Sequence, residues 1–574
     1  MFGIIKLTIK EKNIMKFVNR TFEGDIPPRL TKWLYCSSGM FRDGVFQFVS
    51  MFLLTFVQFF ALGFAKTPEE YGMYFGVITI IVVILRIWDG VNDPIMGWLI
   101  EKCKFKWGKY RPWILIGALS NSIVTILMFW ILPEGWAYIA TFAVWYFLWD
   151  FTYTMNDIAY WSVLPSLSSK EKIRANLTTT LSIFISVGTF AVGGIVPLLA
   201  AGNVGQVYQI IAIVTSVLFF VSQLILVIFM KERKIDDQVA QSDEKMRLRD
   251  IFLVMVKNSQ LRVSIIAMLI YYIGSGFLVA AGLNYFYFTY GYQEGGSLQF
   301  IFTVVFAVAT FAGQFLFPLL KNKAKWSNMK IFTICSITTI CSYVLLFAYV
   351  FIPDPKTFFP MLCVFAFFAF IGQTIMSLVL YIMIQDTIDF NEYKNKERRE
   401  AATFSLRAFS AKMASSIQQG LLFLFLTISS LYVIQQQIAN VEREFNVGGG
   451  AAVLGETYVF DIVDPAIAGI DHSQLIIFHI GFTLVPMLMF LISFLLIKFK
   501  YKINEENHAS MIKAINARYE GGEYRDELLD ELDANTAKKS KKASKKQKNH
   551  ENCKKTIKEI LKEELTNIHN KGNK

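Results

Sequence analysis

Charge is what this sequence has least of. Only 18% of its 574 residues are Asp, Glu, Lys or Arg, whereas 54% are hydrophobic. A water-soluble chain of this length cannot cover that much apolar surface. Histidine is scarce too: His472, His479, His508, His550 and His569 fall at the end of the last apolar run or in the tail and form no HExxH pair. No GxxxxGK[ST] loop is present either, so the sequence argues against a membrane enzyme and against direct drive by ATP. The six cysteines, Cys36, Cys103, Cys335, Cys341, Cys363 and Cys553, include no CxxC and no loop cluster, which argues against a disulfide framework or a structural zinc. Met1 to Ile5, followed by Lys6, Lys10, Lys12 and Lys16, is too short an apolar stretch for a signal peptide. The first long apolar run is therefore expected to be a span itself.

What fills the chain instead is large apolar side chains, with 53 Phe, 24 Tyr and 11 Trp. A hydrocarbon core of about 30 Å takes about 20 apolar residues per helix. Runs of that length fall near residues 40–64, 71–99, 112–132, 137–163, 177–201, 207–230, 261–290, 298–320, 329–352, 357–385, 403–434 and 473–499, predicting an all-α protein with twelve transmembrane helices. Each even-numbered connection is basic: Lys102, Lys104, Lys106, Lys109 and Arg111 after the second run, Lys170, Lys172 and Arg174 after the fourth, and Lys321, Lys323, Lys325 and Lys330 after the eighth. The odd-numbered ones hold only Lys66, Lys356 and Arg443. Both termini are therefore expected in the cytoplasm, most simply across a bacterial plasma membrane.

The long basic connection after the sixth run splits the chain into an N-terminal segment (1–39), a six-helix bundle (40–230), a cytoplasmic middle loop (231–260), a second six-helix bundle (261–501) and a basic tail (502–574). Residues 435–471 form a long external loop. Met246 to Val256 has apolar residues at helical spacing, as for a linker helix on the membrane surface. Two halves of six helices are the plan of the major facilitator superfamily, whose central cavity opens alternately to each side. The tail run KKSKKASKKQK, 538–548, repels itself and is expected to be disordered. Lys554 to Ile568 has the spacing of a short amphipathic helix. Loose attraction to anionic lipid, or to a cytoplasmic protein, accounts for this tail better than nucleic acid does.

Ionisable groups within a span cost about 2.5–3.5 kcal/mol each on insertion scales, so each needs a partner, water or a task. The set is small: Arg42 and Asp43; Arg86, Asp89 and Asp93; Asp150 and Asp157; Asp386 and Asp389; Arg407 and Lys412. Asp89 and Asp93 are four residues apart, on one helix face and about 6 Å from each other. They lie about 20 Å from the basic rim at 1.5 Å per residue, near the midplane. Such a pair needs a proton or a cation. Hard cations such as Na⁺ prefer a cage of oxygens, to which Asn92 or a Thr from another helix would add. The alternative is that the acids pair with Arg86 and a base on another helix. Asp157 and Trp161 are also four apart, projecting a carboxylate that accepts hydroxyl hydrogen bonds and an indole that stacks on a sugar ring into one space.

Three segments carry a resemblance: RIWDGVNDPIMGWLIEKCKFKWGKYRPWILIGALSNSIV (Arg86 to Val124), TYTMNDIAYWSVLP (Thr152 to Pro165) and QDTIDFNEYKNKERRE (Gln385 to Glu400). They resemble the second and third helices, the fourth helix, and the tenth-to-eleventh connection of the glycoside-pentoside-hexuronide:cation symporter family, the melibiose permease-like branch of the major facilitator superfamily. The resemblance covers about residues 35 to 500. It implies a cation site at Asp89, Asn92, Asp93 and Thr154, with Asp89 and Asp93 holding Na⁺ if sodium is the coupling ion. It implies a sugar site at Arg42, Asp43, Asp157 and Trp161, with Lys412 linking the two. It further implies a cytoplasmic gate of ion pairs among Arg174, Asp386, Asp389, Glu392 and Arg398.

The chain departs from that family in two places. A helix V arginine that contacts sugar corresponds to Ser182, and Asp150, two turns before Asp157, has no counterpart. The expected function is secondary active symport of a sugar or glycoside with Na⁺ or H⁺ by alternating access, with no cofactor other than the coupling cation. Two other readings stay open: a carrier of lysolipid-like substrates on the same fold, and a non-transporting membrane sugar sensor that signals through its tail.

Overall fold

The computed structural model describes residues 21–22, 26–103, 110–167, 171–233, 254–352, 354–397 and 399–536. Among them are twelve long helices. The first half holds α1 (Arg29–Phe56, continued by a π-helical turn, Val57–Ala61), α2 (Pro68–Lys102), α3 (Arg111–Trp130), α4 (Trp136–Leu167), α5 (Glu171–Ala200) and α6 (Val204–Phe229). The second half holds α7 (Ser259–Tyr290), α8 (Tyr292–Pro318), α9 (Asn328–Ala348), α10 (Phe359–Asn395) and α11 (Glu400–Ile428). Three shorter helices follow, α12 (Tyr432–Val447), α13 (Ala451–Leu454) and α14 (Tyr458–Ala468), before the last long helix, α15 (His472–Lys500), and a further helix, α16 (Glu505–Tyr519); residues 527–536 are helical as well. Eleven of the long helices are apolar enough to cross a membrane by length and composition. The twelfth is α4, whose Trp, Tyr, Asp150 and Asp157 lower its hydropathy because it faces other helices. The only strand pairing among the described residues joins Thr21–Phe22 to Glu232–Arg233, in parallel.

Local sequence sets the helix starts. Thr67 accepts a hydrogen bond from Glu70 N ahead of Pro68, Asn258 from Gln260 and Leu261 N, and Ser327 from Lys330 N. Each satisfies amides that the helix leaves unpaired. Five boundaries differ by six residues or more from the sequence expectation, among them the start of α5, at 171 rather than near 177, and the end of α10, at 395 rather than near 385. The first helix starts at Arg29 rather than near 40, because Pro28 ends the extended lead-in and the polar residues after it lie on the helix. The eighth starts at Tyr292 rather than near 298, since Gly291 alone, with φ of 96°, turns the chain. The eleventh stops at Ile428 rather than 434, where Ser430 takes φ of 58° and α12 sets off in a new direction. Most of the middle-loop helix expected from Met246 to Val256, the lysine-rich run and the helix expected at 554–568 lie outside the described residues.

Within the first half α1 packs on α5 and α6, α4 on α2 and α3, and α3 on α6; within the second, α7 packs on α11 and α15, and α10 on α8 and α9. The halves meet along two seams, α2 with α11 and α5 with α8. Lys231 N donates to Thr31 at 3.2 Å, and Lys502 N to Gln260 at 2.7 Å. The start and end of each half thus lie together, at what is called here the terminal end. Residues 429–471 cover the opposite end. Close approach is built into the site: a Cβ at Gly117 of α3 would lie 2.7 Å from the backbone N of Asn156 on α4, and Asn156 Nδ2 donates to Ile114 O at 2.8 Å.

Candidate functional site

There are two clusters of charge, one within the first half and one across the seam between the halves. In the first, Arg42 of α1 is 1% exposed. Its Nη2 pairs with Asp43 Oδ2 at 2.7 Å and its Nη1 with Asp157 Oδ1 of α4 at 2.8 Å. The guanidinium also lies over the rings of Tyr160 at 4.4 Å and Trp161 at 5.3 Å. Adjacent residues on α1 therefore reach α4, and the four residues singled out from sequence meet at one point. Tyr160 was missed. It stacks on Tyr35 with ring centroids 4.5 Å apart, and each phenol hydroxyl donates to the other residue's carbonyl, fixing the ring under the arginine. Its signal was present, since Tyr160 stands three residues after Asp157 on the same face. Asp157 and Trp161 remain 35% and 38% exposed, so a polar ligand can reach a carboxylate and an indole side by side. Ser182 is exposed on α5.

In the second cluster, Lys412 of α11 reaches across the seam to α2. Its Nζ lies 2.9 Å from Asp89 Oδ1 and 2.5 Å from Asp93 Oδ2. The acid pair is thus held by a base on another helix, which is half of the alternative sequence reading, since no ion pair joins Arg86 to either acid among the described residues; that base is the residue expected to link the two sites. Asp89 is buried, while Asp93 and Lys412 are half-buried. Asn92 is fully buried, and its Oδ1 and Nδ2 have no hydrogen-bond partner. These are two unsatisfied polar atoms beside the pair, a costly arrangement unless something fills it. Thr154 is buried on α4 but makes no hydrogen bond to Asp89, Asn92 or Asp93. Asp150 is also buried, its Oδ2 without a partner, and it interacts with Asp89 and Arg86. Among the described residues no group of three or more His, Cys, Asp or Glu could hold a metal ion. Two carboxylates and the Asn92 amide nevertheless bring several oxygens together beside the Lys412 ammonium.

The third expected group divides. Asp386, Asp389 and Glu392 lie at the terminal end of α10, while Arg398 and the side chain of Arg174 lie outside the described residues. The carboxylates are engaged by the segment after the last span, a contact that sequence reasoning did not foresee. His508 Nε2 stands 3.0 Å from Asp389 and 3.8 Å from Asp386. Tyr501 OH donates to Asp386 at 3.5 Å, and Tyr519 OH to Glu392 at 2.6 Å. Arg518 donates to the Glu392 and Tyr393 carbonyls at 3.1 Å each. Hydrogen bonding to Asp389 raises the His508 imidazole above its ordinary value, against the opposing effect of burial. About the first half of the expected tail, up to Thr536, is therefore folded against α10, and a cavity of about 290 Å³ lies between them, lined in part by Asp386, Tyr501, Glu505 and Glu531.

A family model for MFS/sugar transport proteins matches residues 45–505. The chain belongs to that family. It is a multi-span membrane transporter and not an enzyme, in keeping with the sequence resemblance. Among curated relatives, the lactose permease of Leuconostoc lactis is 25% identical over 83% of this chain and 67% of its own length. The raffinose carrier protein of Pediococcus pentosaceus is 24% identical over 82% and 69%, and the isoprimeverose transporter of Lactiplantibacillus pentosus 23% identical over 65% and 74%. Solved structures share the fold alone. A bacterial homologue of the lysosomal transporter Spinster, in an inward-facing, unoccupied conformation, has a TM-score of 0.55 at 13% identity, over 82% of this chain and 97% of its own. A D-xylose-proton symporter has a TM-score of 0.50 at 11% identity, over 76% and 97%.

Proposed function

We propose that this MFS/sugar transport family member is a secondary active symporter that moves a sugar or glycoside together with Na⁺ or H⁺ across a bacterial plasma membrane, its termini in the cytoplasm. The observation that carries the reading is the Lys412 bridge to Asp89 and Asp93, because it joins the halves through the groups best suited to a small cation. A cation binding to that pair must displace the Lys412 ammonium. The seam between α2 and α11 then loses its charged link, and the halves gain freedom to rock. Asp157 and Trp161 would hold the sugar by hydroxyl hydrogen bonds and ring stacking, with Arg42 keeping Asp43 and Asp157 in place. Coupling is mutual by thermodynamic necessity: a cation that raises sugar affinity is bound more tightly when sugar is present. The names of the relatives, which carry lactose, raffinose and isoprimeverose, support a sugar as cargo. The chemistry of the Arg42 cluster favours a sugar over a lysolipid, whose acyl chain has no use for paired carboxylates and a cation.

The test is counterflow in proteoliposomes with a panel of α- and β-galactosides, glucosides, xylosides and glucuronides, run in Na⁺, in Li⁺ and across pH without either. Exchange of at least one glycoside, accelerated by one cation, is the expected result. Exchange of none of them, with binding retained, would point to the sensor instead.

A further inference from the structure

The long connection between α11 and α15 belongs by sequence to the second half, yet α12 lies across the first. Its buried residues Gln435, Gln436, Ile438, Ala439, Glu442 and Phe445 recur at helical spacing, so one face is buried although it carries two glutamines and a glutamate. Each of these polar side chains makes at least one hydrogen bond, although Gln435 Oε1 and Gln58 Nε2 have no partner. Gln435 Nε2 donates to Asn284 of α7 at 2.6 Å, and Asn284 Nδ2 donates to Gln58 at 3.3 Å, so three amides connect α12 to both halves. Gln436 Nε2 donates to Ala65 O at 3.1 Å, and Arg443 pairs with Glu134, on the turn before α4, at 2.9 Å. Seating is close: a Cβ at Gly63 would lie 2.2 Å from Ala439 O.

Glu442 sits at the centre of this contact. Its Oε1 accepts from Tyr292 OH of the second half at 2.6 Å. Its Oε2 accepts from Val204 N of the first half at 2.9 Å, and the Gly202 amide donates to the same carboxyl. The ionisable groups facing it are phenols, Tyr292 of α8, Tyr208 of α6 and Tyr287 of α7. Asp464 of α14 is turned to Tyr292 N instead, at 2.6 Å, and Arg443, the next residue on α12, to Glu134. No ion pair to Glu442 is found among the described residues. The three donors favour a carboxylate, but burial without a counter-charge favours the neutral acid and is the larger effect; once protonated on Oε1, the acid donates to the Tyr292 oxygen in place of accepting its hydroxyl, and Oε2 still accepts both amides.

We propose that residues 432–468 are a latch over the end of the transporter away from the termini, and that Glu442 is its proton-operated keystone, holding the halves together when protonated and releasing them when ionised. Burial pushes the closed-state carboxyl up to about 7, and opening to water returns it to about 4.3. The closed state therefore binds the proton more tightly. Between those limits, closure is favoured by about tenfold for each pH unit of acidification. Above about 7, the closed latch must bury a bare carboxylate. The proposal requires only that the chain is a transporter of this fold, and neither the sugar nor the coupling ion enters it.

The test is a spin-label distance measurement on the full-length protein in lipid nanodiscs, with native cysteines replaced and labels at Lys66→Cys on the first half and Val447→Cys at the end of α12. The expected result is one short distance at pH 5 and a longer population that grows as pH rises from 5 to 7 and levels off above it. Glu442→Gln, a permanently neutral isostere, should hold the short distance across the whole range. Gly63→Leu, which blocks seating sterically, should give the long distance at every pH. A wild-type distribution that does not change between pH 5 and 8.5 overturns the proposal. So does a pH response that survives in Glu442→Gln. Neither result bears on sugar counterflow, which is measured separately.

Discussion

Lys412 and Asp89, 323 positions apart in sequence, stand 2.9 Å from each other across the seam between the halves. A lysine so placed neutralises an acid that lipid would not tolerate and competes for it with any transported cation. Lys412→Gln is therefore expected to leave Asp89 and Asp93 facing each other without a base. Concentrative sugar uptake should fall at least about tenfold, because losing one partner of a buried pair costs about 3–5 kcal/mol, while exchange without a gradient persists. Uptake and counterflow measured on the same vesicles separate the two, and full accumulation by this variant would count against the bridge as the coupling element.

Asp93→Asn tests the other arm. It removes the carboxylate that lies 2.5 Å from Lys412 and keeps the shape. Cation-stimulated accumulation should disappear while sugar binding, measured by calorimetry, changes by less than about threefold. A variant that still accumulates sugar against its gradient would show that Asp93 does not carry the ion.

At the Arg42 cluster, Asp157→Asn removes the charge that faces Arg42 at 2.8 Å. A lost charge-assisted hydrogen bond is worth about 1.5–3 kcal/mol, or about 10- to 100-fold in Kd. Trp161→Phe should preserve much of the stacking, and Trp161→Ala should lose it. Equal affinities for those two variants would exclude Trp161 from ring contact.

Gly117→Val forces α3 away from α4, where the added Cβ would meet the Asn156 backbone at 2.7 Å. Overpacking of this kind costs about 1–3 kcal/mol. Because Asn156 is the residue before Asp157, sugar affinity should drop along with Tm. An unchanged Tm would mean that the two helices can separate at no cost.

Docking of α16 on α10 should depend on pH. The His508 imidazole is raised above its ordinary value by hydrogen bonding to Asp389. Its contribution is therefore fully present below about 6.5 and is lost as pH climbs through the raised value. Hydrogen exchange of residues 505–519 should speed up over that window and become insensitive to it in His508→Gln.

Periodicity in the sequence was enough for the class, the span count and the pairs that share one helix, since Asp89 with Asp93 and Asp157 with Trp161 follow from 3.6 residues per turn alone. Resemblance added Arg42, Asp43 and Lys412. Tyr160 was legible by spacing but passed over. The folding of His508 and Tyr519 onto the α10 carboxylates was not legible, because a charged segment after the last span reads the same whether it is solvated or docked. The same holds for α12, whose buried Gln435 and Glu442 look like an exposed loop until their partners are known.

The amino-acid sequence by itself determined the solvent of this protein, its twelve long helices and the short roster of charges that lipid does not tolerate. Only the tertiary structure decided which of those charges meet: Lys412 with Asp89 and Asp93, Arg42 with Asp157, Glu442 with Tyr292 and Val204. The reason is physical. Lipid tails are as apolar as a helix interface, so hydrophobicity marks a span without saying which face touches protein. A buried charge announces that it needs a partner, and the packing of distant helices chooses the partner.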